Sequence, residues 1–253
     1  MKGKKKRFNR FELKYRIDAA VADRLLTALL ENMVPDPEGD ASGSYAITSL
    51  YFDTPGLDFY RAKIEGLKFR RKLRIRRYGP LSASPDASVT VEIKQRINRT
   101  TQKRRVAMSL ADALALCRGE DAGPYEDPVD AATASEIEYL VRSLSLHPVC
   151  TVGYQRAAFM GSSYDPGLRV TFDRALWVRD PKFALEDDGP RHTFLPPSEV
   201  ILEVKANDAV PLWTSRMLAL HGCEIARYSK YCEGVRCLRS LSLLDTAEED
   251  RNG

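Results

Sequence analysis

Lys72-Leu73-Arg74-Ile75-Arg76-Arg77-Tyr78-Gly79 is the stretch from which the fold can be worked outward. On a β-strand successive side chains point to opposite faces, so Lys72, Arg74 and Arg76 share one face while Leu73 and Ile75 share the other. A sheet that buries the apolar face must display three aligned cations on its opposite side. That face is either an ordinary solvated one or one that is put to use, and what separates the two is whether other strands repeat the pattern.

They do. Phe11, Leu13, Tyr15 and Ile17 alternate with Arg10, Glu12, Lys14 and Arg16, and Val89, Val91 and Ile93 alternate with Thr90, Glu92, Lys94 and Arg96. Tyr154, Arg156 and Ala158 share a face of a strand over 149–160. Leu168, Val170 and Phe172 oppose Arg169, Thr171 and Asp173, and Val200, Leu202 and Val204 oppose Ile201, Glu203 and Lys205. A further strand is predicted over Tyr45–Asp53, leading into the turn Asp53-Thr54-Pro55-Gly56. Helical spacing predicts helices from Ala19 to about Asn32 behind Asp18 as N-cap, over 108–117 capped by Ser109, over 131–146, from Pro211 to about Leu220, and briefly after Tyr231. Between these, 61–77 reads as a cationic hairpin, Arg99 to Arg105 adds four cations, 80–88 reads as a loop and 179–198 as a surface insertion. The fold class is α+β, with a basic tail over 1–7, one domain over 8–240 and an acidic, disordered tail over 241–253.

The 253 residues, 43% of them hydrophobic, suffice for a sizeable core, and no long linker argues for two domains. The net charge of +4 hides an asymmetry: residues 1–105 carry 24 Lys and Arg against 12 Asp and Glu, the remainder 15 against 23. An anionic partner is therefore to be sought in the first half. Five cysteines without a CxxC pair point to reduced thiols and a cytoplasmic setting. The basic start has no apolar run behind it, and no run of about 18 apolar residues could span a bilayer, so any work at a membrane would be that of a peripheral subunit at its inner face. The start itself, Lys2 to Arg7, is either solvated or touches anionic lipid or an emerging polymer. His147, His192 and His221 lie outside the charged strands, and the absence of a GxxxxGK[ST] loop excludes a P-loop enzyme.

The charged faces are Arg-rich and repeat Glu-x-Lys at Glu12/Lys14, Glu92/Lys94 and Glu203/Lys205. They could all meet solvent. Closed into a barrel with these faces inside, the strands would line a lumen with many cations and few carboxylates, which is too costly to hold without a polyanion, water and a divalent metal. Arg forks and Lys points suit phosphate oxygens, and Glu suits Mg²⁺ or Mn²⁺.

Glu12-Leu13-Lys14-Tyr15, Ser49-Leu50-Tyr51-Phe52-Asp53, Leu73 to Gly79, Val91-Glu92-Ile93-Lys94, Tyr154-Gln155-Arg156, Arg169-Val170-Thr171-Phe172-Asp173, Ile201-Leu202-Glu203-Val204-Lys205 and Tyr228-Ser229-Lys230-Tyr231 occur in the order expected of the VTC domain. The chain resembles this polyphosphate polymerase branch of the CYTH-like triphosphate tunnel metalloenzymes from about Arg7 to Leu238. The resemblance implies a closed antiparallel β-barrel with a charged interior and helices packed outside. It implies that Lys14, Arg74, Arg76, Lys94, Arg156, Arg169 and Lys230 grip phosphates, with Lys205 close by, and that Tyr154, Ser229 and Lys103 help bind substrate. Glu203 would be the leading ligand of Mn²⁺ or Mg²⁺, and Glu12 and Glu92 either further ligands or salt-bridge partners that orient lysines. Lys72 precedes the matching motif, so Lys72→Ala is expected to do little. The separate inositol-phosphate sensor domain and membrane helices of the eukaryotic versions have no counterpart, so the chain looks like the stand-alone, bacterial-type form.

The implied reaction is metal-dependent transfer of the terminal phosphoryl group of ATP to a growing inorganic polyphosphate chain. Positioning and charge neutralisation would carry it, since the acceptor terminus is already ionised. A triphosphatase of the same fold is the alternative; it would have to orient a water, through Glu12 or Glu92. A non-catalytic polyphosphate or nucleic-acid binder is the alternative of another class. Nucleic acid is not the expected partner, because the cations alternate with apolar residues on strands instead of interleaving with aromatics on a surface.

Overall fold

A computed structural model describes residues 10–80, 84–98, 100–181, 185, 189–207 and 209–252, with side chains from Phe11 to Ser242 within them. The basic tail, Arg99 and much of the acidic insertion lie outside the described residues. Two compact units emerge: Met1–Ala46, Tyr154–Leu176 and Leu195–Tyr228 form the first, and Ile47–Gly153, Trp177–Phe194 and Ser229–Gly253 the second.

In the first unit, β10 (Glu199–Asn207) runs antiparallel to β1 (Arg10–Asp18) on one side and to β8 (Arg169–Arg179) on the other. The register sets Lys14 opposite Glu203 opposite Thr171, and in the next row Glu12 opposite Lys205 opposite Arg169. The alternate residues Tyr15, Ile17, Val170, Phe172, Leu202 and Val204 are buried under α1 (Ala19–Leu29), which contributes Ala22, Leu25 and Leu29, and under Leu218 of α5 (Leu212–Leu220). Helix α1 stops at Leu29, short of the expected Asn32. Met33–Pro35 is β2, an edge pair with Phe159–Gly161 of β7 (His147–Gly161), where the proline at the strand's end costs no ladder bond in a central position.

In the second unit β4 (Phe69–Tyr78) lies between β3 (Ser44–Asp53) and β5 (Ser88–Ile97), and β6 (Thr100–Ser109) flanks β5, all antiparallel. Asn98, at φ 54, takes the left-handed conformation that closes the β5–β6 turn, a conformation Asn tolerates better than most residues. Leu50, Phe52, Leu73, Ile75, Val91, Ile93 and Val106 form one buried face under α3 (Leu110–Arg118) and α4 (Pro128–Ser143). Ser109 caps α3 as expected, accepting from the Asp112 N–H at 3.1 Å.

Several segments differ from the sequence expectation. The cationic run 61–77 is no continuous hairpin, because α2 (Asp58–Ile64) occupies its start. The reason is Asp53, whose buried carboxylate accepts from the backbone N–H of Thr54, Phe59 and Tyr60, so the turn ahead of α2 is organised as a helix cap. Residues 100–109, read only as a source of cations, are strand β6. Within the acidic insertion, Leu185 is buried in the core of the second unit and β9 (His192–Thr193) pairs with Trp177 and Val178 of β8, so the segment is not purely superficial. The last helix, α6 (Lys230–Asn252), continues through 241–252. No helix among the described residues is long and apolar enough to cross a membrane.

Candidate functional site

The charged faces of the strands carry one cluster in each unit. In the first, strand alternation and register bring Glu12, Lys14, Glu203 and Lys205 side by side on β1 and β10. The Lys14 ammonium is 3.1 Å from Glu203 and 3.5 Å from Glu12, and the Lys205 ammonium donates to Glu203 at 2.9 Å. Arg156 of β7 adds its guanidinium 3.8 Å from Glu203. That guanidinium is itself fixed: it donates through Nε and Nη2 to the two oxygens of Asp173 at 2.7 and 2.8 Å, and it lies 5.3 Å from the ring centroid of Tyr154. Arg156, Asp173 and Glu203 are all buried. Burial works against the charge of Arg156, but Asp173, Tyr154 and Glu203 overcome it and raise its pKa further. Burial likewise pushes Lys205 down to about 8, with Glu203 opposing and Arg156 reinforcing the shift. Arg169 stands beside Lys205 in the register, but its guanidinium is tied to Asp36 at 2.5 Å and to the Tyr45 hydroxyl at 2.8 Å.

The second cluster spans β3 to β6 and the start of α6. Lys72, Lys94 and Lys103 form one row across β4, β5 and β6, and Arg74 and Glu92 sit in the next. Like charges set directly opposite one another destabilise a sheet, so such a row marks a face built for something other than stability. Glu92 is the only carboxylate in these three strands. It is buried, accepts from Arg74 Nε at 2.8 Å and Nη2 at 2.5 Å, and pairs with Lys103 through its other oxygen. Burial alone would raise its pKa, yet Arg74, Arg76 and Lys103 together hold it down at about 2. Arg74 also donates to the Tyr51 hydroxyl at 3.0 Å, and Arg76, buried, donates to Ser49 Oγ at 3.2 Å. Burial of Tyr51 is likewise outweighed, by Arg74, Lys72 and Arg76, which bring its phenol down to about 8.

Ser229 and Lys230 open α6 and are both buried. A cation in a helix's first turn opposes the macrodipole, so Lys230 is poorly placed for helix stability and well placed to meet an anion. Ser229 Oγ accepts from Lys72 Nζ at 2.8 Å and from the backbone N–H of Cys232 at 3.3 Å. Tyr231 stacks on Tyr51 with ring centroids 4.9 Å apart and donates to Asp53 at 2.5 Å. Asp53 thus organises both the start of α2 and the approach of α6.

All the residues singled out in the sequence thus fall into these two groups. Lys14, Arg156, Lys205, Glu12, Glu203 and Tyr154 are brought together in the first unit, with Arg169 at its margin; Arg74, Arg76, Lys94, Lys103, Glu92, Ser229 and Lys230 belong to the second. The sequence reading set Lys72 aside and gave no role to Tyr51, Asp53, Asp173 and Tyr231. Tyr51, Asp53, Asp173 and Tyr231 lie inside the motifs quoted above, but their roles as partners of cations exist only once the strands pair.

A divalent cation finds a partial set of ligands here. Glu203 and Glu12 converge on one ammonium in the first unit, but among the described residues no three His, Cys, Asp or Glu side chains come close enough to enclose an ion. One or two carboxylate oxygens completed by phosphate oxygens and water is a coordination suited to Mg²⁺ or Mn²⁺. Cations stand on both oxygens of Glu92 and equally on both of Glu203, Lys14 at Oε1 and Lys205 at Oε2; what sets Glu203 apart is the second carboxylate, Glu12, at the same Lys14 ammonium, whereas Glu92 is the sole carboxylate of β4, β5 and β6.

The family model of the VTC domain matches residues 9–239. Subunit 4 of the vacuolar transporter chaperone complex of Trypanosoma brucei brucei is 28% identical over 225 residues, and that of Trypanosoma cruzi 26% identical over 224, each alignment taking in 76% of this chain. The chain spans 28% of the length of these relatives. Among solved structures, a Bacillus halodurans protein described as a candidate adenylate cyclase is 16% identical, with a TM-score of 0.48 over 86% of this chain and 92% of that one.

Proposed function

The chain belongs to the VTC domain family, and from that premise we propose that it is a polyphosphate polymerase, transferring the terminal phosphoryl group of ATP to the end of an inorganic polyphosphate chain. Barrel closure around the polymer, as the resemblance implies, is part of the proposal. The observation that carries it is the row of Lys72, Lys94 and Lys103 with Arg74 and Arg76 beside it, set against Glu92 as the single carboxylate of three strands. Such an excess of fixed cations suits a ligand that carries a negative charge on every repeating unit.

The two clusters differ in charge balance, and this suggests a division of labour. The second unit's face is strongly cationic and grips phosphates. In the first unit Lys14, Lys205, Arg156 and Arg169 are matched by Glu12, Glu203, Asp173 and Asp36, so that cluster accepts phosphate only together with added positive charge. Glu203, aided by Glu12, would hold Mn²⁺ or Mg²⁺ there, which when bound neutralises phosphate oxygens and aligns them.

In the reaction a terminal oxygen of the acceptor chain forms a bond to the γ-phosphorus of ATP, while the bond from that phosphorus to the β–γ bridging oxygen breaks and ADP leaves. The attacking oxygen is already ionised, so no residue has to remove a proton. Arg74, Arg76, Arg156 and the lysines bind and orient the phosphates and offset the charge that builds on the leaving group. The Asp173 clasp on Arg156 and the Glu92 clasp on Arg74 fix two guanidinium groups before substrate arrives, which reduces the reorganisation required. A triphosphatase would need a base for water, and Glu92, held near 2 with both oxygens engaged, is too weak a base for that task.

The purified chain, given ATP and Mn²⁺, should make a long anionic polymer, resolved on a urea gel. Arg74→Ala and Arg76→Ala should each abolish synthesis while the circular dichroism spectrum is retained. Release of inorganic phosphate without polymer would instead make the chain a triphosphatase, and tripolyphosphate binding without turnover a carrier.

A further inference from the structure

The apolar face of the second unit outruns its helical cover. Leu73, Ile75, Val91 and Ile93 are buried under α3 and α4, but the same face emerges at Phe69 and Ile97, which are 43% and 45% exposed and directly opposite one another in the β4–β5 register. Ahead of β4 the chain displays Ile64, the last residue of α2, and Leu67 of the following loop, 51% and 49% exposed. The two stretches are joined, since the Asn98 N–H at the β5–β6 turn donates to the Lys68 carbonyl at 2.8 Å. Four large apolar side chains thus lie at one end of the sheet, where the backbone at Gly66 faces open space: a Cβ added there would meet nothing within 4 Å. An exposed cluster of this kind marks an interaction surface.

Its chemistry is selective. Lys63 and Lys68 flank Ile64 and Leu67 in the chain and Arg71 shares the strand face of Phe69, its guanidinium 4.5 Å from that ring centroid, whereas Arg70 and Arg96 lie on the opposite face; Glu65 is the sole acid between Lys63 and Arg71. We propose that this end of the second unit is a membrane-docking tip that seats Ile64, Leu67, Phe69 and Ile97 in the interface of an anionic lipid surface, with Lys63, Lys68 and Arg71 on lipid phosphates. Apolar side chains accompanied by basic residues are the two signals that reversible membrane attachment requires together. A second copy of the chain would bring the same positive charge against the tip. The docking is independent of the proposed chemistry: the tip lies beyond Lys72 and Lys94 along β4 and β5.

The test is co-sedimentation of the full chain with vesicles of phosphatidylcholine alone or with one third phosphatidylglycerol. The protein should pellet with the anionic vesicles only, and less so at high salt. Leu67→Ser with Phe69→Ser should weaken binding about tenfold or more, and Lys68→Glu, which changes the local charge by two, about 25-fold at roughly fivefold per charge. Tyr164→Ser, at a site 92% exposed in the first unit, should leave binding as it is. Unfolding midpoints are measured alongside; if Phe69→Ser does not fold, Leu67→Ser combined with Lys68→Glu carries the test. The proposal fails if the wild type ignores anionic vesicles, if the Leu67 and Lys68 variants bind like the wild type, or if the tip instead mediates self-association that Leu67→Ser removes. Polymer synthesis without vesicles should be unchanged in these variants, so failure here leaves the polymerase reading standing.

Discussion

Replacing Glu92 by Gln keeps its shape and one hydrogen-bond acceptor, removes its charge and turns the other oxygen into a donor, at a site where Arg74, Arg76 and Lys103 face the carboxylate. The carboxyl is held at about 2 instead of 4.5, and proton linkage turns that gap into about 3 kcal/mol of stability at neutral pH. Since Glu92 is 2% exposed, little of this is lost to solvent, though the partial exposure of Lys103 and the remaining hydrogen bond trim the expected cost of Glu92→Gln to about 2–3 kcal/mol. The folded-state value lies below the unfolded one, so the contribution is complete above pH 4.5 and disappears as pH falls through 2. At pH 3 the difference between wild type and variant should have shrunk to about half or less. Urea unfolding in a Trp213→Phe background measures this, because Trp177 then reports the second unit alone. No difference at pH 7, or one that persists undiminished at pH 3, would refute an electrostatic role for Glu92.

Other outcomes follow from the same geometry. Lys205, held at about 8, loses its charge between pH 7 and 9, so tripolyphosphate affinity measured by calorimetry should fall about tenfold across that range, whereas Lys205→Arg, charged throughout, should show no such step. Lys72→Ala, inconsequential on the sequence reading, should raise the half-saturating polyphosphate concentration about tenfold with kcat nearly unchanged, because its ammonium holds Ser229 and completes the lysine row. Chelation should stop synthesis and Mn²⁺ restore it, and Glu203→Gln should raise the Mn²⁺ concentration required about tenfold or more in a metal titration followed by electron paramagnetic resonance of free Mn²⁺.

Much of the fold was legible because strands with one buried face must alternate. Val200, Leu202 and Val204 against Glu203 and Lys205 is a pattern that fixes which residues enter the core, and the structure puts the first three under α1 and α5. Helix α2 was not legible: Asp58–Ile64 is short, sits in a basic run and is nucleated by the carboxylate of Asp53, a contact invisible to periodicity. Strand β6 was missed for a related reason. Gln102, Lys103, Arg104 and Arg105 show no alternation, since β6 is the last strand in the order β3-β4-β5-β6 and solvent reaches most of its residues on both faces.

The sequence by itself determined the two-faced strands, the choice of Arg, Lys and Glu for the charged faces and the family to which the chain belongs, because each of these is written in local spacing and short motifs. Only the tertiary structure decided which charges are partners. Arg156 with Asp173, Arg74 with Glu92 and Lys72 with Ser229 are separated by 17, 18 and 157 residues and meet through strand register and the docking of α6. Register is a property of pairs of strands, and the electrostatics that tune Glu92 to about 2 and Lys205 to about 8 follow from burial and distance, which a linear pattern does not contain.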